Sequence, residues 1–343
     1  MSRNYGVLLQ MNQIITQKAL FQKAMHLNFK LLEQLKMILA LPYMCVKAGL
    51  KAWKTSDHFY RFHLQNSGYW LLKKNIRWAF LAAINPYLTL KWIEFLETPE
   101  SLPFAENYPY LALKPLQAYM STQWNNSKRI KVMSDTYRFI QLRKGIFEDA
   151  LFKPDGCVLA ELTNINVQLV LGYHHTKRKE GELEAYLRDG TSKNMIASMA
   201  FSLECLSDDK WALYIGCIMG GQSDDVRIVQ KTMHGLRPIA LMVFVAQELA
   251  LTIGASFLYG VGHSSQAHRR RHAIYLHSEH DLKTNYDTLW NCVGGFSTQD
   301  GWFQIPLVSQ RRSSEEIKTN KRSMYRRRYE LMDELSRQIR YAL

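Results

Sequence analysis

Acidic residues are scarce relative to basic ones: 30 Asp and Glu stand against 44 Lys and Arg, a formal net charge of +14. Such a surface is drawn to something acidic, whether nucleic acid, an anionic lipid surface or protein, or a phosphorylated ligand. Paired cysteines are also lacking. Cys45, Cys157, Cys205, Cys217 and Cys292 are odd in number, widely spaced and without a CxxC pair. That argues against a disulfide framework or a zinc ribbon and fits reduced thiols in the cytoplasm. No stretch reaches about 18 uninterrupted apolar residues, the length of a membrane span. Met37–Leu50 is broken by Pro42 and Lys47, Trp78–Leu90 by Asn85-Pro86, and Ile239–Ala246 runs at once into Gln247-Glu248. The start, MSRNYGVLLQMNQ, has no apolar core followed by a small-residue cleavage site, so no secretory signal is expected. There is no helix-turn-helix signature or RNA-binding aromatic motif, and sequence-specific nucleic-acid binding has no support. The expectation is a cytoplasmic protein, at most peripheral at the inner membrane.

What is present is ample apolar material. With 47% hydrophobic and 12% aromatic residues, most of the chain can bury a core. Three regions are expected: a helical region over 1–150, an α+β domain over 151–310 and a basic C-terminal helix over 311–343. In the first, Ile14–Leu41 carries Phe21, Met25, Phe29, Leu32, Leu35 and Leu39 at helical spacing with lysines between. This is either a helix packed on the domain's own core or one that touches lipid. Trp70–Ala83 reads as a basic, aromatic helix that stops before Asn85-Pro86. Ser101–Pro115 reads as an irregular connector, and Met120–Lys144 as a further helix.

Near residue 150 the periodicity changes. Val158–Thr163, Val167–His175, Leu183–Arg188, Met195–Leu203 and Trp211–Met219 are short apolar runs. Asp155-Gly156, Asn164, Glu180-Gly181, Asp189-Gly190 and Asp208-Asp209 punctuate them, as turns punctuate a meander. The densest information lies in Ile215–Gly262. There a strand meets Gly220-Gly221, a polar linker carries Lys231, and Gly235-Leu236-Arg237-Pro238 opens an apolar helix that returns into the strand Ser256–Gly262. Proline suits the first helical turn, where its missing N–H costs little. A helix between two strands predicts that these are parallel neighbours. Glycine turn followed by helix start presents N–H groups to an anion, although an ordinary crossover without a ligand has the same layout. At the end of the chain, Lys318–Ala342 reads as a helix with Tyr325, Met332, Leu335 and Ile339 on one stripe. Its Arg326–Arg328 run is either a phosphate contact or a solvated face paired with Glu330, Asp333 and Glu334.

The expected fold is therefore α+β: a helical N-terminal region, then a mixed, mostly antiparallel sheet with a crossover helix, then a basic C-terminal helix. This order resembles that of GNAT-type acyltransferases. The resemblance implies that the fourth strand, the loop after it, the following helix and the fifth strand hold the phosphates of acyl-CoA or another acyl-thioester.

Three blocks carry a second resemblance. They are Lys231-Thr-Met-His-Gly-Leu-Arg-Pro238 with its helix and Leu258-Tyr-Gly-Val-Gly262, then Asn285-Tyr-Asp-Thr-Leu-Trp290 through Asp300-Gly-Trp-Phe-Gln-Ile-Pro306, and Lys321–Asp333. In these the sequence resembles the VirK/YbjX family of bacterial proteins. Ile239, where a basic residue is expected, and Gly262-His263, in place of Ser-Asn, depart from the family pattern. The resemblance implies a cytoplasmic bacterial protein linked to virulence, to resistance against envelope-acting peptides and to stress, with no established reaction.

The candidate chemistry follows from these blocks. Gly220, Gly221 and Gln222 shape a phosphate loop; Lys231, Gly235 and Arg237 stand at the helix entrance, where an Arg fork suits phosphate unless Asp224 or Asp225 claims it. His263 and Ser264 follow a strand at its C-terminal end, where ligands gather, and with His268 supply a general base. His174-His175 are adjacent, so in a strand they face opposite ways and share no metal. His272, His277 and His280 have no ligand partners at metal spacing. The Arg269–Arg271 run is either a solvated loop or a contact for acidic lipid, nucleic acid or an acidic protein. Trp290, Trp302 and Phe303 either line an acyl pocket or pack a core. Two functions remain: an enzyme using an acyl-thioester donor, or a non-enzymatic accessory protein that binds acidic lipid or a protein partner.

Overall fold

Five apolar runs separated by turn residues form an antiparallel meander. In a computed structural model, which describes residues 39–58, 61, 68–173, 179–207, 210–221, 224–267 and 284–343, these runs are β1 (Cys157–Leu162), β2 (Val167–Gly172), β3 (Leu183–Asp189), β4 (Met195–Ser207) and β5 (Lys210–Gly220). Each pairs antiparallel with the next. Then β6 (Ala255–Val261) lies parallel to β5, as a crossover requires. The sheet continues where the sequence reading stopped. β8 (Trp302–Ile305) pairs antiparallel with β6, and β7 (Phe296–Ser297) pairs with β8 at the edge. Among the described residues the sheet is mixed, with strand order β1-β2-β3-β4-β5-β6-β8-β7.

The chain divides into two compact units, Met1–Leu90 and Lys91–Leu343. In the first, helix α1 covers 39–58 and α2 covers Gly68–Ala83. They approach closely because small residues meet: a side chain on Gly49 would come within 3.3 Å of the Ala79 carbonyl oxygen. Asn75 Nδ2 donates to Asp57 Oδ1 at 2.9 Å and ties the pair. α2 ends before Asn85-Pro86, since a residue preceding proline is pushed out of the helical region; Pro86 then opens α3 (Pro86–Leu96).

In the second unit, Ser101–Pro115 is more ordered than an irregular connector. It holds α4 (Leu102–Asn107) and a 3-10 turn, and both begin with proline in the first turn, where the missing donor is tolerated. The helix expected over Met120–Lys144 starts later, as α5 (Asn126–Arg143). Asn125 caps it by accepting from Lys128 N, which leaves 119–124 free to run elsewhere. α6 (Ile146–Phe152) leads into β1. The segment expected as a polar linker around Lys231 is instead helix α7 (Asp224–Thr232). α8 (Pro238–Thr252) is the crossover, α9 (Tyr286–Cys292) follows β6, and α10 (Arg322–Ala342) closes the chain.

α10 is docked. Leu335 and Ile339 are wholly buried. Ser336 Oγ and Arg340 Nη2 donate to Glu248 of α8, at 2.6 and 3.0 Å. Gln338 bonds the backbone of Glu161 in β1. No helix among the described residues is long and apolar enough to cross a membrane.

Candidate functional site

β5 and β6 part company. Their last paired residues are Ile215 and Gly260, while β5 runs on through Gly216 to Gly220. On its other edge β6 pairs with β8 from Leu258 to Val261. Just past the parting, β5 carries a bulge. Cys217 pairs with Ala200 and Ile215 with Phe201 of β4, so Gly216 is the extra residue. Only glycine fits there: a Cβ on Gly216 would fall 1.9 Å from the Glu180 carbonyl oxygen. The backbone at 179–181 crosses β5 at this bulge. It is held by Met120, whose N–H donates to Lys179 O at 2.7 Å and whose carbonyl accepts from Ala267 N at 3.1 Å. The 119–124 segment, freed by the late start of α5, thus joins the turn before β3 to the turn after β6.

That convergence buries a polar cluster. Cys217 Sγ donates to Glu180 Oε2 at 3.2 Å, and Gln266 Nε2 donates to Glu180 Oε1 at 3.1 Å. From α9, Tyr286 reaches into the fork. Its hydroxyl donates to Ile218 O at 3.2 Å and accepts from Ile218 N at 3.3 Å, doing for β5 what a neighbouring strand would. All four side chains are buried. Burial, with Cys217 and Glu180 close by, holds the Tyr286 phenol well above its ordinary pKa, so it remains a proton donor. His263 stands beside this cluster, its ring centroid 6.4 Å from that of Tyr286 and its backbone N–H donating to Asp287 Oδ1 at 2.7 Å. A carboxylate, a phenol, a thiol and an imidazole therefore gather where two strands separate, an arrangement suited to proton transfer.

The sequence-predicted residues divide around this fork. Gly220 is at the open end of β5, where Ile239 of α8 packs within 3.3 Å of its Cβ position, so the start of α8 sits at the mouth. Arg237 is the exposed N-cap residue of α8, no side chain caps that helix, and Pro238 occupies the first turn. The N–H of Gly221 is committed to Ile196 O at 2.7 Å, which removes one expected phosphate donor. Gln222 lies outside the described residues, as do the side chains of Asp224 and Asp225. Lys231 is exposed in the last turn of α7. Gly235 has φ +74°, a conformation glycine adopts without strain, and makes the turn between α7 and α8. Arg328 of α10 donates to His234 O at 2.9 Å and adds a cation at this turn. Ser264 is exposed beside His263. Trp290, Trp302 and Phe303 are buried, Trp302 against Trp124 at 4.9 Å and Trp290 on Gly260 with its Nε1 donating to Val261 O, so they pack the core. His174, His175, His268, Arg269–Arg271, His272, His277, His280 and the helix proposed to begin at Ile14, apart from its last residues, lie outside the described residues.

Glu180, Gln266 and Tyr286 were not singled out from sequence. Glu180-Gly181 reads as turn punctuation, and Gln266 has no motif around it. Only Tyr286 stood in a quoted block, without a role.

A family model described as "Protein of unknown function (DUF535)" matches residues 70–341, which spans the fork, α8, the cluster and α10. The chain belongs to this family. Proteins similar to the chain include an uncharacterized protein of Haemophilus influenzae, 29% identical over 72% of this chain and 82% of its own length. Another is the uncharacterized protein YbjX of Escherichia coli K12, 24% identical over 78% of this chain and 83% of its own. Membership in the VirK/YbjX family, expected from the three blocks, is thus shown. No solved structure matches the chain.

Proposed function

We propose that this DUF535 protein is an acyltransferase-like enzyme that takes its acyl group from CoA or another acyl-thioester. The observation that carries this reading is the fork: a parallel β5/β6 pair that separates beside a bulge, with the start of α8 at its mouth. The same order of strand, crossover helix and strand underlies the GNAT-like fold expected from sequence. In this reading Arg237 and Lys231 hold the donor phosphates and Gly235 shapes the turn. Gly220 lets the donor chain approach β5. Tyr286 already satisfies Ile218, so the donor chain pairs with β5 beyond that residue or displaces the phenol.

The chemistry then balances as follows. An acceptor amine attacks the thioester carbonyl carbon, and His263, with Ser264 beside it, takes the amine proton. The carbon–sulfur bond breaks, and Tyr286 supplies a proton so that the sulfur leaves as a thiol. Glu180 steadies the cluster through Cys217 and Gln266. An acceptor at the cell envelope accords with the virulence and peptide-stress associations that the VirK/YbjX resemblance implies.

Calorimetric titration of CoA tests the reading. A charge-assisted hydrogen bond contributes about 1.5–3 kcal/mol, so Arg237→Ala should weaken CoA roughly 10- to 150-fold. Lys231→Ala should weaken it less, because an ammonium offers a point charge and no fork. His263→Ala should spare donor affinity and slow transfer. In the wild type, CoA at about 100 times its Kd should stabilise the fold by about 2.7 kcal/mol. Neither heat nor thermal shift at millimolar CoA would overturn the donor site and leave the accessory-protein reading.

A further inference from the structure

The two described helices of the first unit are built inside out. Toward each other, α1 buries Ala48, Ala52 and Ser56, and α2 buries Asn75, Trp78 and Ala82. Other large apolar side chains of the two helices are exposed. On α1, Leu39, Tyr43, Val46 and Leu50 recur at helical spacing and are each more than half exposed. On α2, Tyr69, Ile76 and Phe80 form the same kind of stripe, also more than half exposed, and Ile84 and Tyr87 extend it past the helix end. A helix facing only water does the reverse, and exposed apolar surface of this extent marks a docking site.

The charges along these faces select the partner. Residues 39–56 and 68–93 contain Lys47, Lys51, Lys54, Lys73, Lys74, Arg77 and Lys91 and no acidic residue. Lys47 lies over the Tyr43 ring at 5.8 Å and Lys73 over the Trp70 ring at 5.1 Å, so cations stand at the border of the apolar stripes. The nearest carboxylate, Asp57, is held by Arg61 at 2.6 Å. A second copy of this surface would set like charges against like. Apolar stripes rimmed by lysine and aromatic rings match the boundary between acyl chains and anionic headgroups, where Trp and Tyr prefer to lie.

We infer that the exposed apolar faces of α1 and α2 dock on a bilayer containing anionic phospholipid. The surface belongs to the first unit, and the inference does not rest on the acyltransferase reading. The full-length chain should co-sediment with vesicles of phosphatidylglycerol and phosphatidylcholine at low salt, bind pure phosphatidylcholine far more weakly, and release as salt rises. Each cation near such a surface is worth roughly fivefold in binding, so Lys47→Gln/Lys54→Gln/Lys73→Gln should weaken it on the order of 100-fold. Ile76→Ser/Phe80→Ser should weaken it roughly tenfold or more, since buried apolar area drives insertion. These positions are exposed, and circular dichroism with an unchanged melting curve would separate lost binding from lost folding. Three results would overturn the inference: no binding to anionic vesicles, binding that survives both sets of substitutions, or lipid-free self-association that Ile76→Ser/Phe80→Ser abolishes, which would make a second copy the occupant.

Discussion

The two units of the chain treat large apolar side chains in opposite ways. In the sheet unit Trp92, Trp290, Trp302, Phe201 and Leu335 are all but completely buried. In the first unit Tyr43, Val46, Ile76 and Phe80 are outside, and apart from Trp78 the buried residues named above are alanine, serine and asparagine. Charge follows the same division. The sheet unit buries Lys114 against Glu182 at 2.7 Å, with Tyr137 donating to the same carboxylate at 2.8 Å, whereas the cations of α1 and α2 are set along an exposed apolar border. Apolar content alone therefore does not tell where a residue sits; what decides it is whether the apolar face has a protein neighbour or is left for another partner.

The division is tested most severely at the bulge. Gly216→Ala sets a methyl carbon 1.9 Å from the Glu180 carbonyl oxygen, a backbone atom fixed by the Met120 contacts. Relief would need the 179–181 crossing to move and the Glu180, Cys217 and Gln266 cluster to open. The expected loss exceeds about 4 kcal/mol, the range reserved for such disruptions, and expression without a cooperative unfolding transition is the readout. A variant with near wild-type stability would show that the crossing is not closely packed on β5.

A paired truncation sharpens the comparison. Leu335→Ala removes a wholly buried side chain from α10 and should cost about 2–5 kcal/mol by urea unfolding. Phe80→Ala removes a larger side chain from α2 that is 60% exposed, and should stay within about 0.5 kcal/mol. Equal costs would mean that the α2 stripe has a partner within the chain. An undiminished stability in Leu335→Ala would instead make α10 a loose appendage.

Much of the sheet was legible because strands and turns alternate cleanly. β1 to β5 lie close to the five apolar runs, and α8 with β6 reproduces the crossover read from Pro238 to Gly262. α7 was hidden: Asp224-Asp225 opens it with charge, and of its apolar residues Ile228 is exposed and Val229 buried, so no stripe is long enough to stand out. β7 has two residues and β8 four, too short for a period, and Trp302-Phe303 reads as a pocket lining or core aromatics but not as a strand. The candidate site was legible at its rim, in Gly220, Arg237 and His263. Its buried part was not, because Glu180, Cys217, Gln266 and Tyr286 come together through Met120, a link made by backbone bonds that carry no residue signature. Arg328 likewise read as one member of a charge run, and only the docking of α10 brings it to His234.

The smallest expected effect separates the units by their surface ion pairs. Hydrogen bonds from Arg311 hold the Asp333 carboxyl below its ordinary pKa, and hydrogen bonding to Arg61 does the same for Asp57 in the first unit. For a depressed carboxylate the sign is fixed: its contribution is present above the unfolded pKa of about 3.9 and is lost as pH falls through the lower folded value. Both partners of the Arg311–Asp333 pair are more than a third exposed, so solvent screens it, and Asp333→Asn should cost only about 0.2–1 kcal/mol at pH 7. Arg311 also lies over the Tyr329 ring at 5.1 Å, a contact that the substitution spares. Urea midpoints of wild type and Asp333→Asn should therefore differ slightly at pH 7 and converge in acid, as pH falls through the lowered folded pKa and the wild-type carboxyl takes up its proton. A gap that persists unchanged into acid would show that Asp333 acts through its shape in α10 and not through its charge. The same titration of Asp57→Asn should leave α10 untouched, since Asp57 belongs to the helical unit and its partner Arg61 is only four residues along the chain.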